Sequence, residues 1–477
     1  MTPKRVLEIF QEIVTIPRES GHEEQIRAWL CTWADTHSLK YAVDKAGNVL
    51  IRREASRGKE DVPTLVLQSH LDMVCEKNEG VEHDFAKDPI SYVIEDGWMI
   101  ARDTTLGADD GIGIAASLAL LEDNTETGAI ECLFTASEET GMDGAMGLEA
   151  GFFTGKTLIN LDSEDEGELF VGCSGGLNTN IRFSYIPESI PEDNELISIM
   201  IAGGVGGHSG DDINKERVNT LQQIARFVYS YIPQYKIVDI CGGGKPNAIA
   251  RECRITLSLP SGGRDGIARK LEEFESILKS EFHRSDPGVF CRMLDAESTE
   301  NCCIEEGLSA NIIRSLYTAP HGVQAMSQDI VGLVQTSTNL ASAKMLKDEN
   351  IVEIVTSQRS SSTSERRNIA AKVAANFQAA GALCKQMYEY PGWEPNMDSP
   401  ILAKAVASYR KLFGTDAKVK AIHAGLECGL FAEKIPGLDM ISFGPTLRGV
   451  HAPGERLDLS SLDKFVDLLQ DIVTNFN

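Results

Sequence analysis

Apolar and charged positions alternate at helical spacing over residues 5–33, and the period breaks at Ile16-Pro17-Arg18-Glu19-Ser20-Gly21. That pattern predicts two helices joined by a turn. Residues 48–52 and 64–67 read as strands, with the charged segment 53–60 a hairpin-like surface connection between them. The run Leu65-Val66-Leu67 is apolar throughout, as in a strand that a parallel sheet buries, and it gives way to His70 and Asp72. Residues 91–101 form another β segment, and 103–121 pass from a Gly-rich loop into an apolar helix. Strands at 131–136 and 157–161 follow. Four boundaries thus close on polar groups: His70/Asp72, Asp109/Asp110, Glu138/Glu139 and Asp162. In open α/β sheets ligands bind beyond the carboxyl ends of the strands, so a crevice lined by these side chains is expected.

The texture changes after Gly172-Cys-Ser-Gly-Gly176. Strands at 195–202 and 254–259 alternate with helices at 218–231 and 266–281. Strands at 312–316, 332–336 and 351–356 and a long helix at 365–387 repeat that order, which suggests a duplicated α+β unit. A Pro-rich joint at 391–400 ends it. Beyond lie a helix (401–413), a strand (417–422), a second helix, a strand (440–443) and a final helix from Ser460. The expected parts are therefore 1–178, 179–390 and 391–477, the first and last forming one α/β domain around the inserted middle one.

At 477 residues, more than one hydrophobic core is expected. Composition changes the picture mainly through charge. Against 45 Lys plus Arg stand 71 Asp plus Glu, a formal charge of -26 that repels nucleic acid and anionic membrane. Eleven cysteines without a Cys-x-x-Cys do not make a disulfide scaffold, and there is no apolar leader and no long uncharged apolar run. A reducing cytoplasm is the expected location.

Imidazole and carboxylate together suit a divalent transition metal without cysteine. Two metals sharing a carboxylate lie about 3.5 to 4 Å apart with a hydroxide between them, and such a centre takes roughly two His and three acids. His70, Asp109, Glu139, Asp162 and His451 supply that set, leaving Glu138 free as general base beside Glu139. Asp72 then accepts the other N–H of His70. The competing account makes the same acids helix caps and solvated loop ends, and capping explains one member of the Asp109-Asp110 pair.

Ser-His70-Leu-Asp72, Gly107-Ala-Asp109-Asp110-Gly, Ser-Glu138-Glu139-Thr-Gly, Asn-Leu-Asp162-Ser-Glu and Gly-Val-His451-Ala-Pro-Gly-Glu455 resemble, in order, the metal-site motifs of the di-zinc peptidase and deacylase superfamily. Within it the chain is similar to the aminoacyl-histidine or cytosol non-specific dipeptidases. The resemblance implies two zinc ions, or manganese or cobalt, with Asp109 bridging, His70 and Asp162 on one side and Glu139 and His451 on the other. It implies hydrolysis of dipeptides, Xaa-His dipeptides included, with a carboxypeptidase or an N-acyl amino acid deacylase as the alternative and a non-catalytic scaffold as the remote one. It also implies a catalytic domain with a central mixed sheet flanked by helices, interrupted by an α+β lid. In that lid His208 of Gly203-Gly-Val-Gly-Gly207-His208-Ser-Gly210 would polarise the scissile carbonyl, and Asn247 and Arg359 would hold substrate. Glu427, and with it His423, is a further substrate-binding candidate, and a homodimer is the one macromolecular assembly expected.

Overall fold

The computed structural model describes residues 1–296 and 302–477 and divides into two compact units. One comprises Met1–Cys173, Trp393–Ala421 and Leu426–Asn477; the other comprises Ser174–Gly392 and Ile422–Gly425. The sequence had suggested breaks at 178/179 and 390/391, and nothing in it marked the four-residue excursion after Ala421.

The first unit is built on an eight-stranded mixed sheet. Its strands lie in the order Lys40–Val43, Val49–Arg53, Ile130–Thr135, Leu65–His70, Thr157–Asn160, Asp439–Ser442, Glu168–Cys173 and Lys418–Ile422. The central four run parallel, and Leu65–His70 and Ile130–Thr135 are buried at every residue. A parallel strand covered on both faces is mostly apolar, and polar groups inside it, such as Gln68 and Glu131 here, need buried partners. The helices Pro3–Ile13, Ala108–Glu122, Pro400–Phe413 and Leu459–Thr474 contribute buried apolar residues to this core. A separate hairpin, Tyr92–Glu95 with Trp98–Ala101, turns at Asp96 and Gly97, both at positive φ, as a two-residue turn requires. The single β segment expected at 91–101 is thus two strands. Nor is 53–60 a hairpin, since Ile130–Thr135 lies between the strands it connects.

The second unit has a nine-stranded sheet, antiparallel throughout. Asn194–Ala202, Lys236–Gly243, Cys253–Pro260 and Phe290–Leu294 adopt the spatial order last, first, third, second; Gly175–Ser184, Val334–Leu346, Ile351–Ser360 and Leu383–Tyr390 adopt the same order. Each set has one helix after its first strand and another after its third, and the two sets meet edge to edge at Lys236–Gly243 and Val334–Leu346.

Three expectations in this unit are corrected. Residues 312–316 lie in the helix Glu306–Thr318, where Ile312, Ile313 and Leu316 are buried together and Glu305 caps the first turn. β-branched residues there imitate a strand, but their spacing serves one helix face. The helix expected to reach 387 is Thr363–Ala379; Gly381, at φ 97°, ends the segment and Leu383–Tyr390 is a strand. The strand at 332–336 extends to Leu346, because Thr336, Ser337, Thr338 and Asn339 are buried polar residues that an apolar pattern does not reveal.

Candidate metal centre

The candidate residues gather at the carboxyl ends of the parallel strands. His70 is the last residue of its strand, Glu138 and Glu139 follow Ile130–Thr135, and Asp162 follows Thr157–Asn160. Asp109 precedes the regular turns of its helix, since Asp109 and Asp110 have non-helical backbone angles. Asp110 caps that helix, accepting from Gly113 N–H at 3.1 Å, so Asp109 is the aspartate left over. A side chain at Gly113 would collide with the Asp110 carboxylate.

Asp109 Oδ1 lies 2.9 Å from His70 Nε2 and Asp109 Oδ2 lies 3.2 Å from His451 Nε2. Each imidazole faces a second acid, Asp162 Oδ1 at 3.3 Å from His70 and Glu139 Oε1 at 3.0 Å from His451. Two clusters, His70/Asp109/Asp162 and Asp109/Glu139/His451, therefore share one carboxylate, with their candidate ligand atoms within 4.8 Å of one another. His70, Glu138 and Glu139 form a third such group.

The electrostatics of the cluster favour positive charge. Burial, then the neighbouring acids, push Asp162 well above the usual carboxylate range and Glu138 to about 8. Hydrogen bonds to the Asp109 and Glu139 carboxylates raise His451 to about 11, and Asp162 and Asp109 raise His70 against the effect of burial. With protons as the only cations, these acids and imidazoles hold them tightly. Glu139 Oε1 is also buried without an aligned hydrogen bond. Oxygen and imidazole donors, one shared carboxylate and excess negative charge fit divalent cations such as zinc, manganese or cobalt.

Asp72, completely buried, accepts from the N–H groups of Glu138 (2.9 Å) and Glu139 (3.2 Å) and from Ser20 Oγ, while its Oδ1 lies 3.4 Å from His70 Nδ1. Burial works against its charge, but the bonds from His70 and Ser20 hold it down at about 2. Two further buried residues were not singled out as candidates. Glu455, quoted only as part of the last motif, accepts from the consecutive N–H groups of Leu106, Gly107, Ala108 and Asp109. Arg18 bonds the carbonyls of Leu71, Asp72 and Gly107, tying the His70 and Asp109 loops together. It stands in the Pro-Arg-Glu-Ser-Gly segment that the sequence reads only as a turn between two helices. Ser137 and His451, at φ 50° and 61°, occupy the left-handed region that non-glycine residues rarely adopt. At Ser137, both the N–H and the hydroxyl go to Glu23.

Glu427, expected to meet substrate, is fully buried, with one oxygen accepting from Gln68 Nε2 and Thr135 Oγ1, both at 2.7 Å. Burial pushes it up to about 7. His208, Asn247, Arg359 and His423 belong to the second unit. There the His208 and Asn247 loops pair, Ser209 N–H donating to Asn247 O and Ile249 N–H to Gly207 O. Asn339 holds that pairing by donating to the carbonyls of Pro246 and Ala248 on either side of Asn247. His208 Nδ1 lies 3.3 Å from Asp211 Oδ2, and His423 Nε2 lies 2.7 Å from Ser337 Oγ.

The sequence profile of peptidase family M20/M25/M40 matches residues 66–475. The chain belongs to this family. The M20/M25/M40 chain is 36% identical over 476 residues to the cytosol non-specific dipeptidase of Escherichia coli K12, covering 99% of this chain and 98% of that protein. The crystal structure of an aminoacylhistidine dipeptidase from Vibrio alginolyticus matches with a TM-score of 0.92 at 36% identity, covering 100% of this chain and 97% of that one. The aminopeptidase PepT of Bacillus cereus, 17% identical, shares the fold at a TM-score of 0.57, over 99% of this chain and 98% of that one. The chain is accordingly a hydrolase of the M20 peptidase fold. Among the described residues no helix is long and apolar enough to cross a membrane.

Proposed function

We propose that this chain is a metal-dependent dipeptidase that accepts Xaa-His dipeptides among others and works in the cytoplasm with two zinc ions, or manganese or cobalt in their place. The observation that carries the reading is Asp109, whose two oxygens face two different imidazoles, each backed by a further acid. His70 and Asp162 would hold one cation, Glu139 and His451 the other, and Asp109 both. When bound, the cations supply positive charge that makes the attacking water easier to deprotonate. Glu138 takes that proton and later delivers it to the departing amine nitrogen. Asp72 keeps the His70 ring in the tautomer that presents Nε2, and fixes the turn carrying Glu138. His208 donates to the carbonyl oxygen as it gains charge, Asn247 assists, and Arg359 takes the substrate's terminal carboxylate. Glu427, held by Gln68 and Thr135, lies near enough to Glu138 for its charge to raise the proton affinity of that base.

Glu138→Gln tests the assignment. Metal content measured by mass spectrometry should stay at about two ions per chain, while dipeptide turnover falls at least about a hundredfold. Residual activity near that of the unaltered chain would remove Glu138 from the mechanism. Xaa-His dipeptides, tripeptides and N-acyl amino acids assayed side by side distinguish a dipeptidase from a carboxypeptidase or deacylase.

A further inference from the structure

Arg359 is 8% exposed, and its Nε is buried without a hydrogen-bond partner among the described residues. Its Nη1 donates to the hydroxyl of Tyr390 at 3.2 Å. Several features of the second sheet converge on that bond.

Tyr390 lies on the edge strand Leu383–Tyr390, which pairs with Gly175–Ser184. Met387 stands opposite Asn178 and Tyr390 opposite Gly176, so three steps on the edge strand match two on its neighbour. The extra residue is a bulge, with Tyr388 in the left-handed region at φ 56°. Regular pairing would place Glu389 opposite Gly176 and turn Tyr390 to the other face, because side chains alternate along a strand. The bulge instead completes a cross-strand row of Ser337, Arg359, Gly176 and Tyr390. Gly176 separates the two hydrogen-bonded partners of that row, and any side chain there would overlap the phenol ring. On the ring's other side a β-carbon at Gly425 would come within 3.1 Å. The tyrosine is thus held between two glycines, with its hydroxyl on the guanidinium. A strained non-glycine residue and two glycines together serve one orientation, a pattern that marks functional sites more often than simple packing.

The phenol oxygen accepts from Arg359, so its own O–H proton remains available. We propose that Tyr390 is a substrate-positioning residue that completes the carboxylate subsite. It fixes the direction of the Arg359 fork and donates its proton to the same terminal carboxylate of the peptide. This rests on the reading of Arg359 given above, and extends it to a two-residue clamp selective for a free carboxylate over an amide or a longer chain.

Steady-state kinetics of the metal-loaded full-length chain test this, using one dipeptide and its C-terminal amide. Tyr390→Phe should raise KM for the dipeptide about tenfold, the loss expected for one hydrogen bond to a charged group. Its kcat should stay within about twofold, and kcat/KM for the amide and the melting temperature should be unchanged. Gly176→Ala, which keeps the hydroxyl but displaces the ring, should show the same selective rise in KM. An unchanged dipeptide KM in both variants, or equal losses on dipeptide and amide, overturns the proposal. Arg359→Met separates the two layers. If it loses activity equally on dipeptide and amide, the Arg359 reading falls; if its loss is confined to the dipeptide while Tyr390→Phe shows no such selective loss, only the role of Tyr390 falls.

Discussion

Asp72 makes four polar contacts from a side chain with no solvent exposure, and three of them fix groups that the proposed chemistry uses. Its oxygens meet two backbone N–H groups that point at them, so an amide in its place would turn an N–H donor toward another donor. Asp72→Asn should therefore loosen both the His70 ring and the Glu138-Glu139 turn. The expected result is a drop of about 10- to 100-fold in metal affinity, measured by competition with a chromogenic chelator. Unchanged affinity would mean that His70 is oriented by its other contact, the Asp72 carbonyl at 3.1 Å.

At the scale of elements, the loop Leu106–Asp109 is organised by a carboxylate from the far end of the chain. Glu455 Oε2 receives the N–H groups of Leu106 and Gly107 at 2.7 and 2.9 Å, and Oε1 those of Ala108 and Asp109 at 2.8 and 3.4 Å. Four consecutive amides on one buried carboxylate leave no place for a donor. Glu455→Gln should cost about 1–3 kcal/mol in urea unfolding and weaken metal uptake, whereas a neutral outcome in both would make this contact dispensable. The helix after the loop was legible in the sequence from its apolar run and its Asp-Asp start. The partner of its preceding backbone was not, because hydrogen bonds to main-chain N–H groups leave no residue pattern. The misread segments have the same origin: Ile312 and Ile313 carry strand propensity into a helix, and buried Thr336 to Asn339 carry polarity into a strand.

For the whole molecule, acid stability of the second unit can be argued from His423. Burial first, then the positive charge of Arg359, lowers its pKa from 6.5 to about 3, and its ring is paired with Ser337. The unfolded chain takes up a proton on this ring below about pH 6.5 while the folded chain does not. The stabilisation is complete above that pH and is lost as the pH falls toward 3. His423→Gln should flatten this dependence, so urea midpoints at about pH 7 and pH 4.5 should differ less than in the unaltered chain. An equal difference would show that the acid response arises elsewhere.

By itself the sequence determined where apolar runs stop and polar groups begin. His70, Glu138, Glu139 and Asp162 were identifiable at strand ends and Asp109 at a helix start, whereas His451 was identifiable by its motif. Tertiary structure alone decided which oxygen faces which imidazole, that Asp110 caps while Asp109 is shared, and that Glu427 is enclosed. It also brought Arg18 and Glu455 to the same loop and, through one extra residue in an edge strand, turned Tyr390 toward Arg359. Periodicity along a chain reports burial of a face, whereas pairing between distant groups depends on register and loop closure, which have no period to read.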